Sequence, residues 1–499
     1  MAKSEKRASS LEVFPLVPAL IAGGALFLRL YRLTAESFWF DEAYSVAFAA
    51  RPLWDFSPFR LEGPPFTDRN LYHLLLHFWL WLGREDLTIR LLSVLIGACS
   101  VAGVYLLAWE LFDKRVGLWS AALLALSPLH IWYSQEVRMY GLVTAFSLFS
   151  SYFLLRGIRR GRIGDWIAYI LCAVAGLYTH TFAAFVILSQ GVYVLYLLGT
   201  RQISKRRFWS WLGVEAVAGV LALPLLWGLV NQQQQGWWAW IDVRYGSTGL
   251  RDLLDTFVAF SFGTTFGGGR AWIWGGTLAA AIAILMGIAS LKISREGVVL
   301  RFPFDEEVIF CLLYLLVPLG TIFVISQVRN MYVLRYLLPF LPPFVILMGR
   351  GVSRVRPLAW RVILAGAIFL VSARSLQTMY QKQQKEDWRG LAHYLEVSVG
   401  ANDLIFVVDA DAVIPLRHYY QRDTEMRLVW RGLTDEGELT ALAAEAASGY
   451  ENVWLVFSHT LNRGMETALT ARHDLVCVGE VHFTGSVDLV MYRAEKAKG

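Results

Sequence analysis

Residues 87–142 read LTIRLLSVLIGACSVAGVYLLAWELFDKRVGLWSAALLALSPLHIWYSQEVRMYGL. Two apolar runs, 87–111 and 116–133, are separated only by the basic tripeptide DKR at 113–115. Each is close to the roughly 20 residues that carry an α-helix across a bilayer. A polar stretch, SQEVRMY at 134–140, then leads into a third run at 140–155. The same rhythm extends outward, with further runs at 13–30, 165–179, 181–199, 209–230, 271–291, 308–326, 333–349 and 358–375, eleven in all. Of the 499 residues 56% are hydrophobic and 17% charged, against about 25% charged in a soluble globular chain. The sequence therefore predicts a polytopic α-helical membrane protein.

Loop charge sets the expected orientation. With a cytoplasmic N-terminus, alternate connections are DKR at 113–115, RGIRRGR at 156–162, RQISKRR at 201–207, LKISREGVVLR at 291–301 and GRGVSRVR at 349–356. All are basic, as expected of cytoplasmic loops. The N-terminal MAKSEKRASS is basic, and no small-residue cleavage site follows it, so it reads as a retained signal anchor. The outer face then receives 31–86, 134–140, the turn at 178–182, the loop 231–270, 328–335 and everything after 376. The segment NLYHLLLHFWLWLG at 70–83 is too short for a span and is expected along the outer interface. If it crossed, the count would be twelve and the register of the outer loops would change.

After residue 376 the character changes. QKQQKEDWRGLAHYL reads as a polar helix, and GELTALAAEAAS as a second. DLIFVV, RLVW, NVWLVFS, DLVCVGEV and VDLVMYR read as strands. The expected division is a transmembrane domain at 1–375 and an extracytoplasmic α/β domain at 376–499. The net charge of +6 follows from the basic loops and implies no nucleic-acid partner. The four Cys form no disulfide framework.

Three charged groups are expected on the outer face. The first is SFWFDEAYS at 37–45, where Asp41 and Glu42 stand among Trp39, Phe40 and Tyr44. Such a pair is either a solvated loop dipeptide or a desolvated base, since burial raises a carboxylate's proton affinity. The second is Glu136 and Arg138, hemmed by Tyr133 and Tyr140. They form either a helix-end ion pair or part of a site. The third is Arg329 and Arg335, placed against the positive-inside bias. They either snorkel to lipid phosphate or meet an anionic ligand. His73 and His77 have i,i+4 spacing but no neighbouring third ligand, which favours packing; His180 shares the outer face. There is no P-loop, no dinucleotide fingerprint and no zinc-type Cys cluster. An activated substrate would have to arrive on a carrier other than a nucleotide.

SFWFDEAYS, LYHLLLHFWLWLG, the whole of 87–142, LYTHTF, LRYLLPFLPP and KEDWRGLAHYL resemble the bacterial glycosyltransferase family 39 group. That group is similar to protein O-mannosyltransferases and lipid A aminoarabinose transferases. It has the membrane glycosyltransferase fold called GT-C. The resemblance covers essentially the whole chain, with 127–142 its most specific element. One departure is the displacement of Pro64 and Pro65 upstream of the histidine segment, with FTDRN intervening.

The resemblance implies a GT-C bundle of about eleven helices in the plasma or inner membrane. It implies a polyprenyl-phosphate-linked sugar donor and a hydroxyl acceptor on a protein, lipid or glycan. Asp41 would be the base and Glu42 would orient the site or share that role. Arg335, Arg138 and Arg329 would hold the donor phosphate, supported by Glu136, Tyr140, His180 and His77. Displacement would invert the anomeric centre. No cofactor is required, although the acidic pair leaves a divalent cation possible. The rival readings are a transporter or flippase of a lipid-linked or charged solute, and an assembly factor that binds through its outer domain.

Overall fold

The computed structural model describes residues 16–56, 70–233, 246–264, 270–294, 297–302, 305–408, 412–429, 435–458 and 463–494. The N-terminal basic decapeptide, Pro64, Pro65 and residues 66–69 of the intervening FTDRN lie outside these. The chain divides into two units: Met1–Leu33 with Arg51–Gln381, and Thr34–Ala50 with Lys382–Gly499. The stretch holding the acidic pair thus groups with the C-terminal residues, whereas the sequence division ran at 375/376.

The first unit is mostly helical, and among the described residues each expected apolar run falls largely on helix. Its opening helices are α1 (Leu16–Leu30), α3 (Leu71–Trp79), α4 (Asp86–Leu111), α5 (Lys114–Ala125), α6 (Pro128–Ser134) and α7 (Tyr140–Arg160); α2 (Phe40–Ala49) belongs to the second unit. They continue with α8 (Ile163–Thr179), α9 (Ala183–Gly199), α10 (Lys205–Gln233), α11 (Leu250–Phe262) and α12 (Arg270–Ile288). A hairpin of β1 (Ser290–Ser294) and β2 (Gly297–Arg301) leads to α13 (Glu306–Ser326), α14 (Leu341–Arg354) and α15 (Leu358–Gln381). Among the described residues six helical segments are long and apolar enough to cross a membrane, and four more are apolar but shorter. α3 has only 9 residues, well short of a crossing.

Three expectations are corrected. The run 116–133 is not one straight helix, because α5 and α6 meet at 63°. Pro128 disfavours helical backbone at Ser127, whose side chain caps α6 by accepting from the His130 N–H. The loop 231–270 contains α11. The loop 291–301 is the β1–β2 hairpin.

Several of the basic loops gather at one end of the bundle. Arg159 pairs with Glu110 (3.5 Å) and Glu307 (3.2 Å), and Arg160 with Glu110 (2.6 Å). Arg350 pairs with Asp305 (2.7 Å). α12 and α14 cross at contact distance because Gly287 and Gly351 have no Cβ. A methyl at either would strike the Leu347 or the Ala283 carbonyl oxygen.

The second unit opens with α2 (Phe40–Ala49) and resumes at α16 (Trp388–Ser398). It continues β3 (Leu404–Val408), α17 (Val413–Tyr419), β4 (Met426–Val429), α18 (Glu436–Gly449), β5 (Asn452–Ser458), α19 (Gly464–Thr470), β6 (Leu475–Phe483) and β7 (Val487–Ala494). The sheet order is β4-β3-β5-β7-β6, parallel through β4, β3 and β5 and antiparallel beyond. β3 is buried along its length. Its alternate residues serve two cores: Leu404, Phe406 and Val408 on one face, Ile405 and Val407 on the other. This period-two alternation is what a strand covered on both faces requires. The expected polar helix at 381–395 is helical only from Trp388. Asp387 caps it by accepting from the Gly390 N–H (2.9 Å), and the residues just before it bind the acidic segment instead.

Candidate active site

In the bundle, the bend after α6 carries Glu136 and Arg138, both buried. Its position depends on α1. Arg29, wholly buried in α1, donates to the Leu124 and Ala125 carbonyls (both 3.3 Å), to Ser134 Oγ (3.3 Å) and to His130 Nδ1 (2.8 Å). Those carbonyls belong to the last turn of α5, where a helix lacks its own donors. Arg29 thus satisfies the break between α5 and α6. Gln135 in turn donates from Nε2 to the Arg29 and Tyr31 carbonyls (2.9 and 3.0 Å). Gly97 on α4 leaves the room: a Cβ there would collide with Ser134 and approach Arg29 Nε to 3.1 Å.

Arg138 and Arg335 reach the same aromatic ring. Their guanidinium carbons lie 5.8 and 6.0 Å from the centroid of Tyr140. Arg335 also stands 5.6 Å from Tyr336. His180 packs on Tyr336 (4.9 Å) and Tyr140 (6.2 Å), near enough for both arginines to act on it electrostatically. Tyr133 closes the edge of Tyr140 (5.4 Å). The result is an aromatic cluster with two permanent positive charges close to its rings, an arrangement suited to an anion such as phosphate. Arg329 is exposed in the turn after α13. His77 sits in a different aromatic group, against Phe56, Phe78 and Trp81.

In the C-terminal unit, residues 34–50 are tied down by 384–389 and by α17. Arg389 donates to the Thr34 carbonyl (3.1 Å). The Phe38 N–H donates to Tyr419 Oη (2.7 Å), and the Phe38 ring packs on His418 (4.9 Å). Glu386 Oε2 accepts from the Phe40 N–H (3.2 Å) and from Trp388 Nε1. It therefore supplies the cap that Trp39 cannot give α2. Asp41 and Glu42 fall in the first turn of α2, where negative charge is favoured by the helix dipole. Asp41 is half-buried. Glu42 is fully buried, and Lys385 Nζ lies 2.8 Å from its Oε2.

Residues 70–227 match the family model described as dolichyl-phosphate-mannose-protein mannosyltransferase. No curated protein matches the chain. Among solved structures, ArnT from Cupriavidus metallidurans in the apo state aligns with a TM-score of 0.57 at 14% identity, covering 97% of this chain and 98% of that one. The same protein bound to undecaprenyl phosphate aligns at 0.56 and 15% identity, over 95% of this chain and 97% of that one. The Archaeoglobus fulgidus oligosaccharyltransferase in complex with Zn and sulfate aligns at 0.53 and 12% identity, over 88% and 67%. This chain has the GT-C fold.

Reasoning from sequence overlooked four residues of this GT-C chain: Arg29, Gln135, Lys385 and Glu386. Arg29 had a signal, being a charge inside an apolar run. Lys385 and Glu386 had none beyond their place in KEDW. A divalent cation held by the acidic pair fits poorly, because the Lys385 ammonium already stands against Glu42. Elsewhere in the described residues Glu480, His482 and Asp488 converge within ligand distance of one another. Arg463 already pairs with Asp488 (2.9 Å) and Glu480 (3.7 Å) there.

Proposed function

We propose that this protein is an integral membrane glycosyltransferase that takes a sugar from a polyprenyl-phosphate donor and transfers it, with inversion, to a hydroxyl acceptor on the outer face. The observation that carries the reading is the convergence of Arg138 and Arg335 on Tyr140 in a GT-C chain. Two fixed guanidinium groups suit a lipid monophosphate, which gains negative charge as the sugar leaves and is then held more tightly. The solved ArnT with undecaprenyl phosphate supports this donor class. The absence of a P-loop or dinucleotide fingerprint in the sequence agrees with it.

Asp41 is the proposed base, taking the acceptor's hydroxyl proton as its oxygen attacks the anomeric carbon. The C–O bond to the donor phosphate breaks as the new one forms, and the lipid phosphate leaves as an anion of the kind that Arg138 and Arg335 would bind. The acceptor is a protein, lipid or glycan hydroxyl. The gathering of basic loops at one end of the bundle supports a cytoplasmic placement for that end in the plasma or inner membrane. The N-terminus would then be cytoplasmic, and the 376–499 α/β domain extracytoplasmic. A flippase would bind the same lipid without cleaving it. Single-turnover incubation of the purified protein with radiolabelled donor lipid and an envelope extract separates the two. Release of lipid phosphate with label in an acceptor is expected, and unchanged donor would sink the enzyme reading.

A further inference from the structure

The acidic pair holds two carboxylates, and the proposed reaction needs one base. We infer that Lys385 is a positioning residue that makes Asp41, and not Glu42, that base. The inference rests on the proposed transfer reaction and deepens it.

Glu42 is fully buried, and the Lys385 side chain is only 9% exposed, with Nζ and Oε2 at 2.8 Å. Removing one partner of such a buried pair leaves an uncompensated charge at high cost. Protonating Glu42 weakens the same pair, because it removes the counter-charge 2.8 Å from the ammonium. Glu42 is therefore a poor acceptor of the acceptor's proton. Asp41 is the neighbouring residue, turned about 100° around the helix axis, and remains half-exposed. The ammonium has a second effect. It cancels the charge of Glu42, which would otherwise repel an ionised Asp41 and push it toward protonation.

Lys385 does not act alone in fixing α2. The next residue, Glu386, caps the helix through the Phe40 N–H. One short segment thus holds both the end and the side of the helix that carries the base. The charged and titratable groups around it are Asp41, Glu42 and Glu36 on its own segment, Lys385, Glu386 and Arg389 from the chain before and within α16, and His418 from α17.

The test is the pH profile of single-turnover transfer by the full-length protein with purified donor lipid. Lys385→Met should slow transfer roughly tenfold or more and move the acidic limb of the profile upward by about one pH unit. Lys385→Arg should keep the wild-type profile. Lys385→Met combined with Glu42→Gln removes both charges and should return the profile to its wild-type position. An unmoved limb in Lys385→Met would overturn the inference, since a structural role lowers the rate without shifting the profile. If Lys385→Met does not accumulate, the double variant carries the test: a wild-type limb supports the inference and a displaced one overturns it. The underlying reading fails separately. Full activity in Asp41→Asn would remove Asp41 as base, whatever Lys385 does.

Discussion

Arg138 and Arg335 come from opposite halves of the helical unit, yet both guanidinium groups stand about 6 Å from the ring of Tyr140. Both guanidinium groups thus stand against one ring. Loss of either should be felt in donor binding. Arg335→Ala is expected to weaken binding of a non-transferable polyprenyl-phosphate analogue by about 10- to 100-fold, the size of a charged hydrogen bond. Arg335→Lys should recover part of this, because a point charge lacks the fork. Titration by intrinsic fluorescence measures it. Wild-type affinity in Arg335→Ala and Arg138→Ala alike would remove the phosphate role.

Asp41→Asn keeps the side-chain shape but cannot accept the proton. Turnover should fall about 10²–10⁴-fold with donor affinity retained. Retained turnover would place the base elsewhere.

Chelation should leave transfer intact. Lys385 Nζ already stands 2.8 Å from Glu42 Oε2, in competition with a metal ion at the acidic pair. Activity after exhaustive treatment with a chelator, compared with activity on adding back Mn²⁺ or Zn²⁺, checks this. A chelator-sensitive enzyme restored by metal would contradict it.

Gly97→Ala should destabilise the bundle. The new methyl enters the space of Ser134 and Arg29, and overpacking of this kind costs typically about 1–3 kcal/mol. A lowered thermal midpoint in detergent is expected, together with weaker donor binding, since the bend carrying Arg138 hangs on the same contacts.

The C-terminal unit should lose stability with rising pH through one group. The hydrogen bond that His482 Nδ1 donates to Asp488, and the nearby Glu480, raise the proton affinity of His482 above the ordinary histidine value of 6.5. A group with a raised folded pKa stabilises fully below its unfolded pKa and loses that contribution as pH climbs through the folded one. The thermal midpoint should therefore fall slightly from about pH 6.5 upward, and His482→Asn should flatten that slope. His482 is exposed, so the effect is small and screened by salt.

Cys477 offers a natural probe of sidedness, being exposed on β6 in the C-terminal unit. An impermeant maleimide should label it on intact spheroplasts, and Cys477→Ser should abolish that signal. Labelling only after lysis would place the domain inside.

Much of the helical unit was legible because apolar length is a strong signal, and the ends of Asp86–Leu111 and Glu306–Ser326 fall within two residues of the runs read from sequence. The bend at Ser127–Pro128 was written in the sequence but hidden by an apolar run that continues through it. α11 escaped because LRDLLDTFVAFSF is amphipathic and too short to register as a span. Tyr140 and His180 were singled out from sequence, whereas their assembly with Tyr336 and two arginines depends on packing that no local pattern encodes. The allegiance of residues 34–50 was least legible. Nothing in SFWFDEAYS announces that its cap and its counter-ion lie in KEDW.

That long-range pairing has a consequence for biosynthesis. Glu42 and Lys385 are separated by 343 residues. At roughly 5–20 residues per second, the carboxylate leaves the ribosome tens of seconds before the lysine that completes its environment. Throughout that interval the acidic helix lacks the cap from Glu386 and the ammonium of Lys385. The proposed base therefore gains its cap and its neighbouring ammonium only once KEDW has been made, although it is translated early.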